Sequence, residues 1–338
     1  SRSRSSLCLK EAQEGLVMAV AGEAPREPPP GVRCAGERAR VAAALGCVTL
    51  IWALAAVQWP LRDLVVPWDS KNQFYAFFRF LADAIHAGST PFWNPYHYAG
   101  HPSVADPQSL IFAPAFLALA LVDPRPSMIT FDLVVFAHLL LGGLALAVHG
   151  LRRGWTIAGA TLAATVFMLG GPVSSRLSHV GIICAYALFP IALLLMESMI
   201  ARRSMRSAIG FGVVAALIIL GRNQVSLLML VVLAALGARA LAMQDAPRLL
   251  DARRLRAIGA AVFVTIALIA APMLLTVQFA HFSNRPEIAL ETALRSSLYP
   301  LNLATIFTPD VFGSLQSLRD GNWGPGYPTR PDVRSEEH

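Results

Sequence analysis

The chain has 338 residues, of which 55% are apolar and only 14% charged, where a soluble domain carries roughly 25% charged residues. That shortage, with repeated apolar runs close to twenty residues long, excludes an ordinary water-soluble domain and indicates an integral membrane protein. The net charge of +7 rests almost wholly on arginine, with Lys10 and Lys71 the sole lysines; the arginines gather between apolar runs, as topology signals do, which argues against a nucleic-acid partner.

In chain order, residues 1–37 are rich in Ser, Arg, Glu and Pro, with "REPPPG" at Arg26–Gly31, and are expected to be disordered. The chain opens on Ser1, and Met18 is a candidate true start. Residues 38–280 read as a polytopic membrane domain whose first outer loop covers 60–128. Seven spans are expected, at Val41–Trp59, Ile129–His149, Trp155–Val173, Val180–Ile200, Ala208–Leu220, Val225–Met243 and Ala257–Val277. An eighth apolar stretch, Leu110–Val122, would reach only about 20 Å as a helix, short of a hydrocarbon core roughly 30 Å thick.

Charge arbitrates its fate. If Leu110–Val122 does not cross and Arg38 and Arg40 hold the N-terminus in the cytoplasm, then "LRRGW" (Leu151–Trp155), "ARRSMRS" (Ala201–Ser207) and "DARRLR" (Asp251–Arg256) all fall inside. A crossing would put the first two outside, so the stretch reads as a re-entrant or interfacial helix. The helix at Ala208–Leu220 is expected to extend back through Arg206, whose side chain can snorkel to headgroups. On this topology Asp69, "SSRLSH" (Ser174–His179), "GRNQ" (Gly221–Gln224) and the segment 281–338 share the outer face. The final segment stops in polar sequence at "DVRSEEH", and we expect it to continue into a further C-terminal part.

Four cysteines, Cys8, Cys34, Cys47 and Cys184, show no metal or redox spacing; Cys47 and Cys184 fall in apolar runs and are expected as small core residues. After the first span, Phe74, Phe77, Phe78, Leu81 and Ile85 recur at helical spacing, an amphipathic helix suited to the membrane surface. Asp69 stands just ahead of it and reads either as a cap or surface charge, or as a general base in a partly desolvated setting. In "WNPYHYAGHP", His97 and His101 are four apart, but Pro95, Gly100 and Pro102 oppose a helix there, so the spacing loses its meaning as a metal signature. Stacking of Trp93, Tyr96 and Tyr98 on an apolar or sugar face, or plain loop packing, fits better. Arg222 in "LGRNQVS" serves either headgroup snorkelling or phosphate binding. Asp132 and His138 read as a helix-start acid and a satisfied intramembrane histidine. Beyond the last span, Glu287 and Glu291 on an expected helix Arg285–Leu294 read as an ion-pair surface with Arg285 and Arg295.

The order of these features carries a resemblance. An acid soon after the first span, then "PFWNPYHYAGHPSVADPQ", "GRNQ", "SNRPE" and "LYPLNLATIFTPDVFG" leading to "NWGPGY" resemble the YfhO-like bacterial membrane proteins, within the GT-C glycosyltransferase class, from about Pro60 to Tyr327. The resemblance implies an all-α polytopic bundle of GT-C type, with about seven transmembrane helices and interfacial helices in a long first extracytoplasmic loop. It implies transfer of a sugar from a polyprenyl-phosphate donor to an envelope polymer or lipid acceptor on the outer face of the bacterial cytoplasmic membrane. Asp69 matches the position of the class's catalytic base. Arg222, Asn223 and Gln224 would meet the donor phosphate, and Trp93 and Tyr96 would line the sugar or lipid-head site, with His101, Asp106 and Gln108 in the same outer-loop motif. Where the family usually shows Asn, this chain has Asp106, either a second acid or a neutral replacement. No metal ligand set is read from the residues, and the need for a divalent cation stays open. The rival reading is a transporter or flippase of a lipid-linked or amphipathic solute, which predicts polar residues spread through the membrane depth; a non-catalytic scaffold for envelope assembly is the third.

Overall fold

A computed structural model describes residues 30–97, 99–106, 108–221, 223–243, 251–283, 300–308 and 311–312, with side chains from Gly36 onward. Among these residues the structure is helix and connecting turn, without a strand. The chain divides into two units, 1–276 and 277–338; the second holds the last residues of the final long helix and a 3₁₀ turn at Pro300–Ile306. The expected features around Glu287, Glu291, Arg285, Arg295 and "NWGPGY" lie outside the described residues.

The long helices are α1 (Pro30–Ala56), α4 (Met128–Arg152), α5 (Ile157–Leu169), α6 (Val180–Arg202), α7 (Met205–Leu220), α8 (Gln224–Ala242) and α9 (Ala252–His281), and two short ones, α2 (Tyr75–His86) and α3 (Pro114–Val122), lie between α1 and α4. Six of the helical stretches are long and apolar enough to cross a membrane, at Gly36–Leu61, Met128–Arg152, Ile157–Ser174, Val180–Arg202, Gln224–Ala242 and Ala252–His281. The seventh expected span is α7, whose 16 residues reach about 24 Å. It starts at Met205, so Arg206 does lie on its first turn, exposed. The chain is thus a multi-pass, all-helical membrane protein among its described residues.

Local chemistry starts several of these helices. Ser127, Thr156 and Ser204 each turn a hydroxyl back to a first-turn amide, Thr130 N to Ser127 Oγ at 3.0 Å, Gly159 N to Thr156 Oγ1 at 3.0 Å and Ser207 N to Ser204 Oγ at 3.2 Å. Each satisfies one of the amides that a helix start leaves without a partner. At the centre, α4 packs between α5 and α6 on two adjacent glycines. Gly142 faces the carbonyl of Ala187 on α6, and Gly143 faces Met168 on α5; a Cβ at either position would collide with these neighbours. Further out, Gly212 of α7 lets the carbonyl of Ala261 on α9 within 2.6 Å of where its Cβ would stand, and Thr265 donates to the Gly212 carbonyl at 3.1 Å.

The fate of the eighth apolar stretch follows from contacts at its flanks. The amide of Val66, just after α1, donates to Asp132 near the start of α4 at 2.7 Å. The end of α1 and the start of α4 therefore share one side of the bundle, and whatever lies between crosses an even number of times or not at all. Within that stretch α3 has only nine residues, about 13 Å, and it does not cross. The expectation for α2 needs one correction. Its apolar face, Phe77, Phe78, Leu81 and Ala82, is buried against protein rather than lying on lipid. The rings of Phe78, Phe116 of α3 and Phe131 of α4 meet at centroid distances of 5.0–5.9 Å, an aromatic core that holds α2 and α3 to the bundle. A second correction concerns Cys47, which is exposed on α1, whereas Cys184 is half-buried. In a chain whose solvent is lipid, an apolar run predicts burial in the membrane, not in the protein.

Candidate functional site

Asp69 stands on a short segment that the fold over-determines. The chain leaving α1 passes through the left-handed region at Asp63 (φ 51°) and Trp68 (φ 61°), then enters a π-helical turn, Ser70–Phe74. Asp132, only 3% exposed, grips both sides of Asp69, accepting from Val66 N at 2.7 Å and from Ser70 Oγ at 3.4 Å. The Asp69 carboxylate itself makes no capping hydrogen bond. The cap reading is thereby removed. The Asp69 side chain is 50% exposed, a setting that is partly and not fully desolvated. Its Oδ2 lies 3.6 Å from Nε2 of His179, at the threshold of α6, whose Nδ1 lies 3.2 Å from Ser178 Oγ.

Among its described residues the stretch 91–110 is a turn-rich frame with no helix. Asn94 and His101 exchange two backbone hydrogen bonds of 2.8 Å as an isolated antiparallel bridge. Between them Gly100, at φ +121°, lies under the ring of Trp93, 2.6 Å from where a Cβ would stand, so the turn needs glycine for both its dihedral and its space. His101 stacks on Phe77 and its Nε2 lies 2.6 Å from Asp106 Oδ2. Asp106 Oδ1 accepts from Gln108 N at 2.7 Å, and Gln108 Oε1 in turn accepts from Gln73 Nε2 on the π turn. His101, Asp106 and Gln108 therefore form a hydrogen-bonded chain from the loop to the segment that carries Asp69. Both side chains of the His101–Asp106 pair are about a tenth exposed.

Trp93 and Tyr96 behave differently. They are open to the surroundings, 54% and 85% exposed. Tyr96 borders a groove of about 620 Å³ with Ala76, Arg79, Phe80, Asp83, Asn94 and His97. Asp83, one turn along α2, pairs with Arg79 at 3.0 Å, and that hydrogen bond holds the guanidinium above its ordinary range.

The turn between α7 and α8 joins this end. Arg222 lies outside the described residues. Asn223 spends its side chain on the turn itself, accepting from Ser226 N at 2.9 Å and donating to the Gly221 carbonyl at 3.1 Å, so it is the N-cap of α8 and holds the geometry of the turn. Gln224 is exposed. The Gly221 carbonyl would stand 3.7 Å from a Cβ at Gly181, two residues past His179. Asp69 and the "GRNQ" turn thus meet the same end of α6, although nearly 150 residues of sequence separate them. Thr276 of α9 donates to the Ala105 carbonyl at 3.0 Å and ties the frame to a further helix.

Sequence reasoning missed two of these residues. His179 had been grouped only with a polar loop, and Asp132 read as a helix-start acid. The available signal for Asp132 was its place inside an apolar span, where an acid needs a partner.

The fold and its polar ends define a multi-pass α-helical membrane protein with one open polar face around Asp69. Comparison with protein-family models, with curated proteins and with solved structures finds no match.

Proposed function

We propose that the chain is a GT-C-type sugar transferase of the YfhO-like kind, acting on the outer face of a bacterial cytoplasmic membrane with a polyprenyl-phosphate-linked sugar as donor. The observation that carries the reading is the meeting of Asp69, through His179, and of the "GRNQ" turn, through Gly181, at one end of α6. Transfer with inversion needs a carboxylate to take a proton and, on the other side of the sugar, donors to meet the leaving phosphate. Asp69 supplies the first. It takes the proton of an acceptor hydroxyl as that oxygen attacks the anomeric carbon and the bond to the phosphate oxygen breaks. Arg222 and Gln224 supply the second, and Asn223, the N-cap of α8, fixes the helix start that carries Gln224. Tyr96 and Trp93 offer exposed ring faces for the acceptor or the sugar.

The carrier reading predicts polar side chains through the membrane depth. Most of the polar contacts described above gather at the ends of the bundle, with that of Thr265 and the Gly212 carbonyl lying deeper, and this distribution supports the transferase. A screen of radiolabelled polyprenyl-phosphate hexoses and pentoses against the full chain in proteoliposomes tests the reading. Covalent transfer to an envelope glycolipid or polymer is the expected result. Movement of the intact donor across the bilayer without transfer would establish the carrier instead.

A further inference from the structure

A partly open cleft of about 590 Å³ runs into the membrane domain between the 110–116 segment, α4, the first two turns of α6 and the end of α7. Its walls are Leu110, Phe112, Phe116, Ala185, Leu188 and Leu217, with the Cys184 thiol and the His138 ring as the polar side chains. From Gly181 at its edge to Leu188 the α6 wall is eight residues long, about 10 Å along the helix.

The His138 ring is fixed in both plane and tautomer. It stacks nearly parallel on Phe116, at 6.1 Å and 10°. Its Nδ1 lies 2.8 Å from the Val134 carbonyl one turn earlier. A carbonyl oxygen only accepts, so Nδ1 carries a proton and donates. In the uncharged ring Nε2 then has a lone pair and no hydrogen, and it finds no hydrogen-bond partner among the described residues. The bond at Nδ1 ties that edge of the ring to its own helix and turns the opposite edge toward the cleft.

An acceptor lone pair among apolar walls selects its ligand. A phosphate or carboxylate would bring further acceptors and an uncompensated charge, and an ammonium would bring a charge that these walls do not balance. A hydroxyl attached to hydrocarbon satisfies both features. We propose that this cleft is a binding site for a neutral lipid alcohol whose O–H donates to His138 Nε2 while its chain fills the apolar walls. The cleft begins at Gly181 and Gly221, beside the Asp69 face, and runs inward from it; the proposal does not rest on the transferase reading.

Photolabelling of the full chain in phosphatidylcholine nanodiscs tests this directly. The probe is hexadecanol with a diazirine on its chain; the competitors are hexadecanol, its methyl ether and hexadecyl phosphate, with labelled peptides mapped by mass spectrometry. The expected label falls on 110–116 and 181–188. Hexadecanol should compete about two- to tenfold better than its methyl ether, the worth of one net neutral hydrogen bond. His138→Phe should abolish that difference, and the wild-type comparison stands whether or not the variant folds. Competition by dioleoylglycerol or by farnesol supports the site and tells a glycerol-based alcohol from an isoprenoid one. Equal competition by the ether, best competition by the phosphate, or label elsewhere on the chain would each overturn the proposal.

Discussion

Glu197, on α6 near its last turn, and Asp69, against His179 just ahead of its first turn, are both carboxylates, and their surroundings differ. Glu197 is paired with the Arg153 guanidinium from the turn after α4 and has His149 Nδ1 of α4 within 3.2 Å. Close by, Arg40 of α1 donates to the Trp155 carbonyl at 3.3 Å, so the helix ends on that side are laced together. Among the described residues Asp69 has one loose charged neighbour at 3.6 Å, and it keeps half its surface open. The segment around it, by contrast, is tied to buried Asp132 through the Val66 amide and the Ser70 hydroxyl. A matched carboxylate at a helix end serves the fold. A half-exposed one on an anchored segment leaves its oxygens open, which is what the proposed base requires.

Substitutions can break or sharpen this contrast. Asp132→Ala removes the acceptor of a buried amide and should cost about 1–3 kcal/mol, read as a lower denaturation midpoint in detergent. It should also depress transfer, because the segment carrying Asp69 loses its anchor; Asp132→Asn, which keeps one acceptor oxygen, should recover part of both. An unchanged midpoint in Asp132→Ala would show that the grip on Val66 and Ser70 is not needed. Gly100→Ala should cost about 1–2 kcal/mol from the left-handed backbone alone, and it should also free the Trp93 ring, seen as a shift in tryptophan emission. Glu197→Gln weakens a half-exposed pair and should cost under about 1 kcal/mol, with transfer unaltered. Tyr96→Ala, at an exposed ring, should leave the midpoint within about 0.5 kcal/mol while raising the KM for acceptor; an unchanged KM would take the groove beside Arg79 out of substrate binding.

Much of the architecture was legible because membrane helices announce themselves by length and hydropathy, and because arginines at Arg152, Arg202 and Arg253 mark one side. The same charges showed that the Leu110–Val122 stretch stays on the side where it starts, as the Val66–Asp132 contact requires. What periodicity gives is a face, not what that face meets: the apolar side of α2 packs on Phe116 and Phe131, although the same pattern suits a lipid surface. Long-range pairings were not legible. Nothing near Asp132 in sequence points to Val66, and nothing in "SSRLSH" points to Asp69. His101, Asp106 and Gln108 drew attention as polar residues in a greasy chain, and the structure uses them to brace the loop from within.

The contrast between the two carboxylates yields the most direct measurement. Sugar transfer from a labelled polyprenyl-phosphate donor is compared in proteoliposomes for wild type, Asp69→Asn and Glu197→Gln at matched protein levels. Loss of a general base predicts a fall of about 10²–10⁴-fold for Asp69→Asn, with Glu197→Gln near wild type. Wild-type transfer by Asp69→Asn, or an equal fall in both variants, would contradict the assignment of Asp69 as the base.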